Sequence, residues 1–267
     1  DDFGCSVSIS GDVIAIGAYG DDDNGNYSGS AYVFKKPETG WADMTQTAKL
    51  TASDGAEGDD FGCSVSISGD VIAIGATGDD DNGGSSGSAY VFKKPETGWV
   101  AAFETYKSVP TPYLSNKNNL YGCSVAIDGN YAVVGSKGYK SNQGCAYILF
   151  YNGTEWETLG ILTASDGAKW DYFGTSVSIS GDVIVVGATG DDDNGSGSGS
   201  AYVFKKSETG SWWTRIAKLT ASDGAKFDNF GESVSISGDV IVVGAYRDDD
   251  NGDNSGSAYV FEKSETG

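Results

Sequence analysis

Histidine is missing from all 267 residues. That removes the commonest general base at neutral pH and a frequent zinc ligand. Long apolar runs are missing too. Those of the Val13–Ala18 and Ala146–Tyr151 kind are the longest, and they fall far short of the ~20 residues a membrane-crossing helix needs, so direct membrane insertion is not expected. No stretch repeats its apolar residues at helical spacing. Basic residues are scarce, 17 against 38 acids, for a net charge of −21. Such a surface repels phosphate backbones and anionic lipid, so no nucleic-acid partner is expected; metal cations or a basic partner suit it. There is no initiator Met and no signal-peptide pattern, and the chain opens and stops inside a repeated phrase. A processed or partial chain, a component of a larger assembly, is expected.

What is present is a phrase written four times, with a fifth, altered copy. It reads F-G-x-S-V-S-I-S-G-D-V-I-(A/V)-(I/V)-G-A, then D-D-D-N-G, then G-S-A-Y-V-F-(K/E)-K. Copies start at Phe3, Phe61, Phe173 and Phe230, and the altered one at Tyr121, at spacings of 58, 60, 52 and 57 residues. A near-fixed period of this length marks one supersecondary unit stacked on itself. The 40 glycines recur at the same turns in each copy and so mark many short strands.

In the second copy Ser64–Ser68 alternates as a strand with one face apolar. Gly69-Asp70 is a two-residue hairpin signal. Val71–Ala76 is apolar almost throughout, as expected of a strand covered on both faces. Ser88–Lys93 reads as a third strand. A less regular fourth follows Trp41 in the first copy and closes on Ala48-Lys49-Leu50-Thr51; that ending returns as Ile161-Leu162-Thr163 and Ala217-Lys218-Leu219-Thr220. Four antiparallel strands per copy with no helix predict an all-β fold: a β-propeller of four-stranded antiparallel blades, five in this chain, as a single domain over residues 1–267 with copies starting near 1, 59, 119, 171 and 228. A β-helix would have shorter repeats and no internal hairpins. The last copy stops after its third strand.

In an up-and-down blade the loops joining strands two to three, and strand four to the next strand one, lie at the same end. D-D-D-N-G is the first kind and A-S-D-G-A the second, so one end should be strongly acidic. The other end should carry the S-G-D turns and Lys35, Lys36, Lys93, Lys94, Lys205 and Lys206. Two readings of D-D-D-N-G stand. Asp21, Asp22, Asp23 and Asn24, Asp79, Asp80, Asp81 and Asn82, Asp191, Asp192, Asp193 and Asn194, and Asp248, Asp249, Asp250 and Asn251 offer the hard oxygens Ca²⁺ takes. The same residues also suit a solvated turn, since Asp and Asn bond their own backbone. Asp54, Asp166 and Asp223 of A-S-D-G-A read as turn caps at strand ends.

The altered copy replaces the acidic loop by Gly138-Tyr139-Lys140-Ser141-Asn142. It is preceded by the loop Ser108–Asn119, with Lys117, Tyr106, Tyr113 and Tyr121 nearby. This is either a place of specific contacts or drift in one copy. Cys5, Cys63 and Cys123 share one repeat position and read as small buried residues, and a Cys123–Cys145 bridge is open. Asn26, Asn152 and Asn194 head N-x-S/T sequons, candidate glycosylation sites in predicted loops. Phe-Gly reads as a plug between blades with a close backbone approach beside it.

The phrase F-G-x-S-V, followed by V-(V/I)-G-A and G-S-A-Y-V-F, resembles the FG-GAP repeat of the integrin α-subunit propeller. Phe3-Gly4, Phe61-Gly62, Phe173-Gly174 and Phe230-Gly231 carry the first half. Gly17-Ala18, Gly75-Ala76, Gly187-Ala188 and Gly244-Ala245 carry the second, with Tyr19, Thr77, Thr189 and Tyr246 replacing the family's proline. The resemblance implies a seven-bladed ring, hence blades beyond this stretch. It also implies protein partners on the end made by two-to-three and four-to-one loops, here the acidic end. The family's calcium loops lie between strands one and two and are cut here to S-G-D, so they do not carry over. Similar repeats occur in secreted and cell-surface proteins.

The expected function is therefore a non-catalytic extracellular or cell-surface module for adhesion, surface or matrix assembly. It would bind a protein or glycan partner on the acidic end, with Ca²⁺ as the one candidate cofactor. The alternative is a lectin-type propeller using Trp41, Trp99, Trp156, Trp212 and Trp213. A glycosidase is the least favoured reading, because no unrepeated acid pair stands out.

Overall fold

A computed structural model describes residues 1–101, 103–110, 117–208, 210 and 212–263. The chain is all-β, of the β-propeller class, with five antiparallel blade sheets. The first holds β1 (Phe3–Ser10), β2 (Val13–Ala18), β3 (Ser30–Lys35) and β4 (Ala48–Leu50). The second holds β5 (Phe61–Ser68), β6 (Val71–Ala76), β7 (Ser88–Lys93) and β8 (Phe103–Ser108). The third holds β9 (Tyr121–Asp128), β10 (Tyr131–Ser136), β11 (Cys145–Tyr151) and β12 (Trp156–Leu162). The fourth holds β13 (Phe173–Ser180), β14 (Val183–Ala188), β15 (Ser200–Lys206) and β16 (Trp213–Leu219). The fifth has three strands, β17 (Phe230–Ser237), β18 (Val240–Ala245) and β19 (Ser257–Glu262). Each sheet runs in sequence order. No helix among the described residues is long and apolar enough to cross a membrane.

Where the repeat predicts one domain, contacts group the chain into two compact units: residues 1–130 with 152–156, and 131–151 with 157–267.

The Ser-Val-Ser-Ile-Ser alternation has a physical cause. Strand one is the first strand of its sheet, so one edge of its backbone has no ladder. Serine hydroxyls from the preceding sheet take up that duty. Ser8 and Ser10 accept from the N–H groups of Ile67 and Gly69 (3.1 and 3.0 Å), and Ser178 and Ser180 from Ile236 and Gly238 (3.1 and 3.3 Å). The apolar partners Val65 and Ile67 turn inward with Ala15, Val33 and Leu50.

Phe-Gly works as expected of a plug. Phe61, Phe173, Phe230 and the substitute Tyr121 are fully buried. Phe61 meets Tyr90 and Phe92 edge to face, at centroid distances of 5.3 and 6.0 Å. The strand bulges just after the aromatic, between Phe61 and Ser64, with Gly62 at φ +94, a conformation few residues but glycine adopt. The bulge turns the Gly62 carbonyl onto the preceding sheet, where Ser6 Oγ donates to it at 2.8 Å. Ser64 to Gly122 and Ser176 to Gly231 repeat the contact at 2.7 Å. Cys5 and Cys63 reach the same carbonyls, and burial pushes the Cys63 thiol up to about 12. None of the four cysteines forms a disulfide, so Cys123 and Cys145 are not bridged; Cys145 is fully buried, whereas Cys5 is exposed.

Candidate functional site

The acidic loops acquire their form from one buried aspartate each. Asp21, Asp79, Asp191 and Asp248, first of their triplets, are buried, while the second and third members are exposed. The buried carboxylate accepts the N–H two residues on, from Asp23, Asp81, Asp193 and Asp250, at 3.1–3.3 Å. A serine closes each loop by donating to the backbone carbonyl of that aspartate: Ser28, Ser86, Ser198 and Ser255, at 3.0–3.2 Å. The second aspartate holds the loop tail, Asp22 accepting from Tyr27 N–H and Asp192 from Gly197 N–H (2.9 and 2.8 Å). This is the turn chemistry the sequence allowed.

What the sequence reading missed is a lysine and a tyrosine. Tyr32, Tyr90, Tyr202 and Tyr259, on strand three of their sheets, donate to the buried carboxylate at 2.6–2.8 Å. Directly opposite on strand four stand Lys49, Lys107 and Lys218. Each ammonium lies over the paired tyrosine ring, 5.1–5.3 Å from its centroid. Lys107 reaches Asp54, Asp79 and Asp81 at 2.6, 2.8 and 2.6 Å. Lys218 reaches Asp166, Asp191 and Asp193 at 3.0, 2.9 and 2.6 Å. Lys49 reaches Asp21 at 3.0 Å and also pairs with Asp23. For Lys49 and Lys218 the signal was in the recurring Ala-Lys-Leu ending, which reads in the sequence only as a strand end; Lys107, between Tyr106 and Ser108, had no such signal.

Asp54, Asp166 and Asp223 accordingly do more than cap turns. They reach from the preceding loop to accept from the hydroxyls of Tyr90, Tyr202 and Tyr259 at 2.8–3.0 Å. These contacts place A-S-D-G-A and D-D-D-N-G at the same end of the blades within each unit, as expected. The S-G-D turns stand with the lysines of the other end, in pairs such as Lys94–Asp70 at 2.6 Å and Lys36–Asp12 at 3.5 Å.

The charges are balanced locally. Burial raises the Asp54 and Asp166 carboxyls, but the hydrogen bonds and charge of Lys107 and Lys218 outweigh it and hold both below the ordinary carboxylate range. Burial also works against the charge on these lysines, and the surrounding aspartates override it, keeping them protonated. Behind the cluster Asp59 accepts from Ala56 N–H at 2.8 Å, and burial pushes its carboxyl up to about 6.

Among the described residues, oxygens of Asp54, Asp79 and Asp81 lie within 4.8 Å of one another, close enough to share a metal ion. The donor set fits an ammonium instead. Calcium takes about six to eight oxygens, and here the three carboxylates already converge on Lys107, which a dication would have to expel. Three carboxylates converge likewise on Lys218, and in the first copy Asp21 and Asp23 converge on Lys49.

In the altered copy, Tyr139 is buried and Lys140 lies 5.2 Å from its ring centroid, so the replaced loop makes its own packing. Tyr121 hydrogen-bonds Ser108 at 2.7 Å, Tyr106 is half-buried, and Lys117 is exposed; Tyr113 lies outside the described residues. The sequon residues Asn26, Asn152 and Asn194 are exposed. Of the tryptophans, Trp99, Trp156 and Trp213 are buried, while Trp41 and Trp212 are exposed.

A family model for the FG-GAP repeat matches residues 1–34, 44–92, 115–150, 156–204 and 213–261. No individual curated protein matches the chain. With five registered matches covering most of its length, the chain belongs to the FG-GAP repeat family.

Proposed function

We propose that this FG-GAP propeller is a non-catalytic extracellular module for adhesion or surface assembly, presenting its acidic loop end to a protein partner. The observation that carries this reading is the recurring lysine-centred cluster. It braces the Asp21, Asp79 and Asp191 loops through their first and third aspartates. The second aspartate and the asparagine stay exposed at the tip, at Asp22, Asn24, Asp80, Asn82, Asp192 and Asn194. Rigid, repeated, negatively charged loop tips favour a basic partner surface and fast association. The Asp21, Asp79 and Asp191 loops need no calcium in this reading, because a lysine supplies the cation.

Catalysis has little support. The clustered carboxylates are repeated, tied to lysine or tyrosine, and unaccompanied by histidine. The lectin alternative is weakened by the burial of Trp99, Trp156 and Trp213. Trp212 is itself laid against Gly160, where an added methyl group would strike its ring.

Beads coated with the chain test the proposal when washed over a cell or matrix surface under flow. Retention that falls at least tenfold in the Asp22→Asn, Asp80→Asn, Asp192→Asn, Asp249→Asn variant is expected. Equal retention of both proteins would move the contact off the acidic end. Absence of retention on every surface, or hydrolysis of a glycoside panel, would overturn the adhesive reading.

A further inference from the structure

At the acidic end, backbone hydrogen bonds tie each sheet to the next. The tail of one sheet's two-to-three loop accepts them from the residues that lead into the following aromatic-glycine pair. Gly58 and Asp60 N–H donate to the Asn26 and Tyr27 carbonyls, both at 2.9 Å. Asn118 and Leu120 donate to Gly84 and Ser85 at 2.9 and 3.2 Å, Tyr172 to Asn142 at 2.9 Å, and Phe227 and Asn229 to Ser196 and Gly197 at 2.9 and 3.1 Å. Both sides of each tie take a left-handed backbone, whatever the side chain. The φ values are +57 at Tyr27 and +84 at Gly58, +50 at Ser85 and +60 at Asn118, +66 at Asn142 and +76 at Trp170, and +64 at Gly197 and +73 at Phe227.

Glycine and asparagine take such angles at little cost, and a bulky aromatic does not. Yet three of these four ties place an aromatic there. Tyr27, Trp170 and Phe227 are 53%, 58% and 53% exposed. The fold does not require them, since Gly58 stands in the second copy where Trp170 and Phe227 stand in the fourth and fifth. A single exposed apolar side chain is ordinary on a protein surface. A strained backbone that bears one, repeated at the same place, is not, and strain of this kind collects at binding sites.

Charge narrows the partner. Asp22 accepts the N–H of Tyr27 at 2.9 Å, and Asp192 that of Gly197, the residue tied beside Phe227, at 2.8 Å. A methyl group on Gly197 would lie 3.3 Å from the Phe227 ring, so the exposed Asp192 carboxylate is its close neighbour. The Trp170 carbonyl abuts Gly190, the residue that opens the Asp191 loop. Lys226 folds over the Phe227 ring, 4.6 Å from its centroid, so that ring already meets a cation. Tyr27 belongs to one compact unit and Trp170 and Phe227 to the other, and each unit carries its own rings.

The geometry points to Tyr27, Trp170 and Phe227 as aromatic knobs that seat in apolar pockets of a partner protein, each pocket rimmed by lysine or arginine that meets the neighbouring aspartates. Protruding rings need a concave partner, and buried aromatics inside a charged rim are where interfaces concentrate their binding energy. A neutral or acidic glycan offers no positive rim. This deepens the adhesive reading and rests on it: the acids steer the partner, and the rings hold it.

The test repeats the bead assay with Trp170→Gly and Phe227→Gly together, every acid kept. Retention is expected to fall at least tenfold. The melting midpoint should stay within about 3 °C of wild type, because glycine suits the left-handed positions and offsets the packing that is lost. Trp170→Tyr with Phe227→Tyr keeps a ring at each place and should keep at least half of the retention. Trypsin treatment of the surface should abolish retention, and periodate treatment should spare it. Full retention by the glycine variant, with the aspartate-to-asparagine variant still impaired, would overturn the knobs and leave the adhesive reading standing. Absence of retention even for wild type would remove both. A midpoint lowered by more than about 6 °C would make the rings packing residues and overturn their role as knobs; so would a tyrosine variant as poorly retained as the glycine one. Retention that survives trypsin and is lost to periodate would make the partner a glycan and overturn the protein assignment.

Discussion

The fourth and fifth sheets carry the same words in different surroundings. β14 and β18 both read V-I-V-V-G-A, and β15 and β19 both open S-A-Y-V-F. Val185 is fully buried, but its counterpart Val242 is 38% exposed. Val203 is 4% exposed, and Val260 64%. The fourth sheet is covered by the fifth, and among the described residues of that unit no further sheet covers the fifth. Each copy thus encodes two half-interfaces, one for the sheet before and one for the sheet after. Burial is a property of the pair, not of the residue. Charge follows the same rule: the Asp191 loop is neutralised by Lys218 from β16, while among the described residues no fourth strand brings a lysine to the Asp248 loop.

The largest expected difference lies in two glycines. A methyl group on Gly187 would run into the Gly231 carbonyl, backbone against backbone, whereas on Gly244 it would meet the Ser233 hydroxyl, which can rotate aside. Gly187→Ala should cost about 3 kcal/mol and Gly244→Ala less than about 1 kcal/mol in urea unfolding. Equal costs would mean that the fifth sheet is covered in solution.

Lys218→Met comes next. It takes the ammonium from Asp166, Asp191 and Asp193, with Asp191 buried and Asp166 left only the Arg215 guanidinium at 4.0 Å. Breaking fully buried pairs costs about 3–5 kcal/mol; with Asp166 and Asp193 exposed, about 2 kcal/mol is expected here. The sign with pH is fixed by Asp166. Its carboxyl is held below the ordinary value by Lys218, so its contribution is present above about pH 4 and fades as the pH falls further. The gap between wild type and variant should therefore close below pH 4. A gap constant down to pH 2 would show that Lys218 acts through its aliphatic stem instead.

Much of this was legible in the chain. Val71–Ala76 and Ser88–Lys93 are strands with the bounds expected, because an apolar run covered on both faces and closed by Gly-Asp or Gly-Ser leaves little choice. The acidic end followed from strand order alone. The lysines were not legible as part of it. Lys107 lies 28 residues beyond Asp79, and only the pairing of two strands brings them together. Carboxylates in a row announce a cation without saying which kind. The adjacent Trp212 and Trp213 divide for a similarly local reason: Trp213 opens β16 and is buried, while Trp212 lies just before the strand and is exposed. The fourth strand of the first copy is reduced to Ala48–Leu50, since the residues after Trp41 lack alternation.

A valine pair measures the packing half of the comparison. Val185→Ala removes two methyl groups from a closed core and should cost about 2 kcal/mol, while Val242→Ala at a half-open surface should cost under about 0.5 kcal/mol.

The smallest effect is expected from calcium, and it separates the two kinds of cation directly. In wild type the Asp191 loop already has an ammonium 2.9 Å from its buried carboxylate, so millimolar Ca²⁺ or a chelator should move the melting midpoint by less than about 1 °C. Lys218→Ala converts that loop into an acid-only set like the one around Asp248, with oxygens of Asp166, Asp191 and Asp193 left to gather a dication. Calcium should then restore part of the lost stability of the variant, because a ligand that binds only the folded chain adds to its stability by mass action. Sodium at equal ionic strength should restore less, since screening acts on all exposed acids alike. A wild-type midpoint that climbs several degrees with calcium would show that the dication can displace the lysine, and the ammonium would lose its place as the resident cation of these loops.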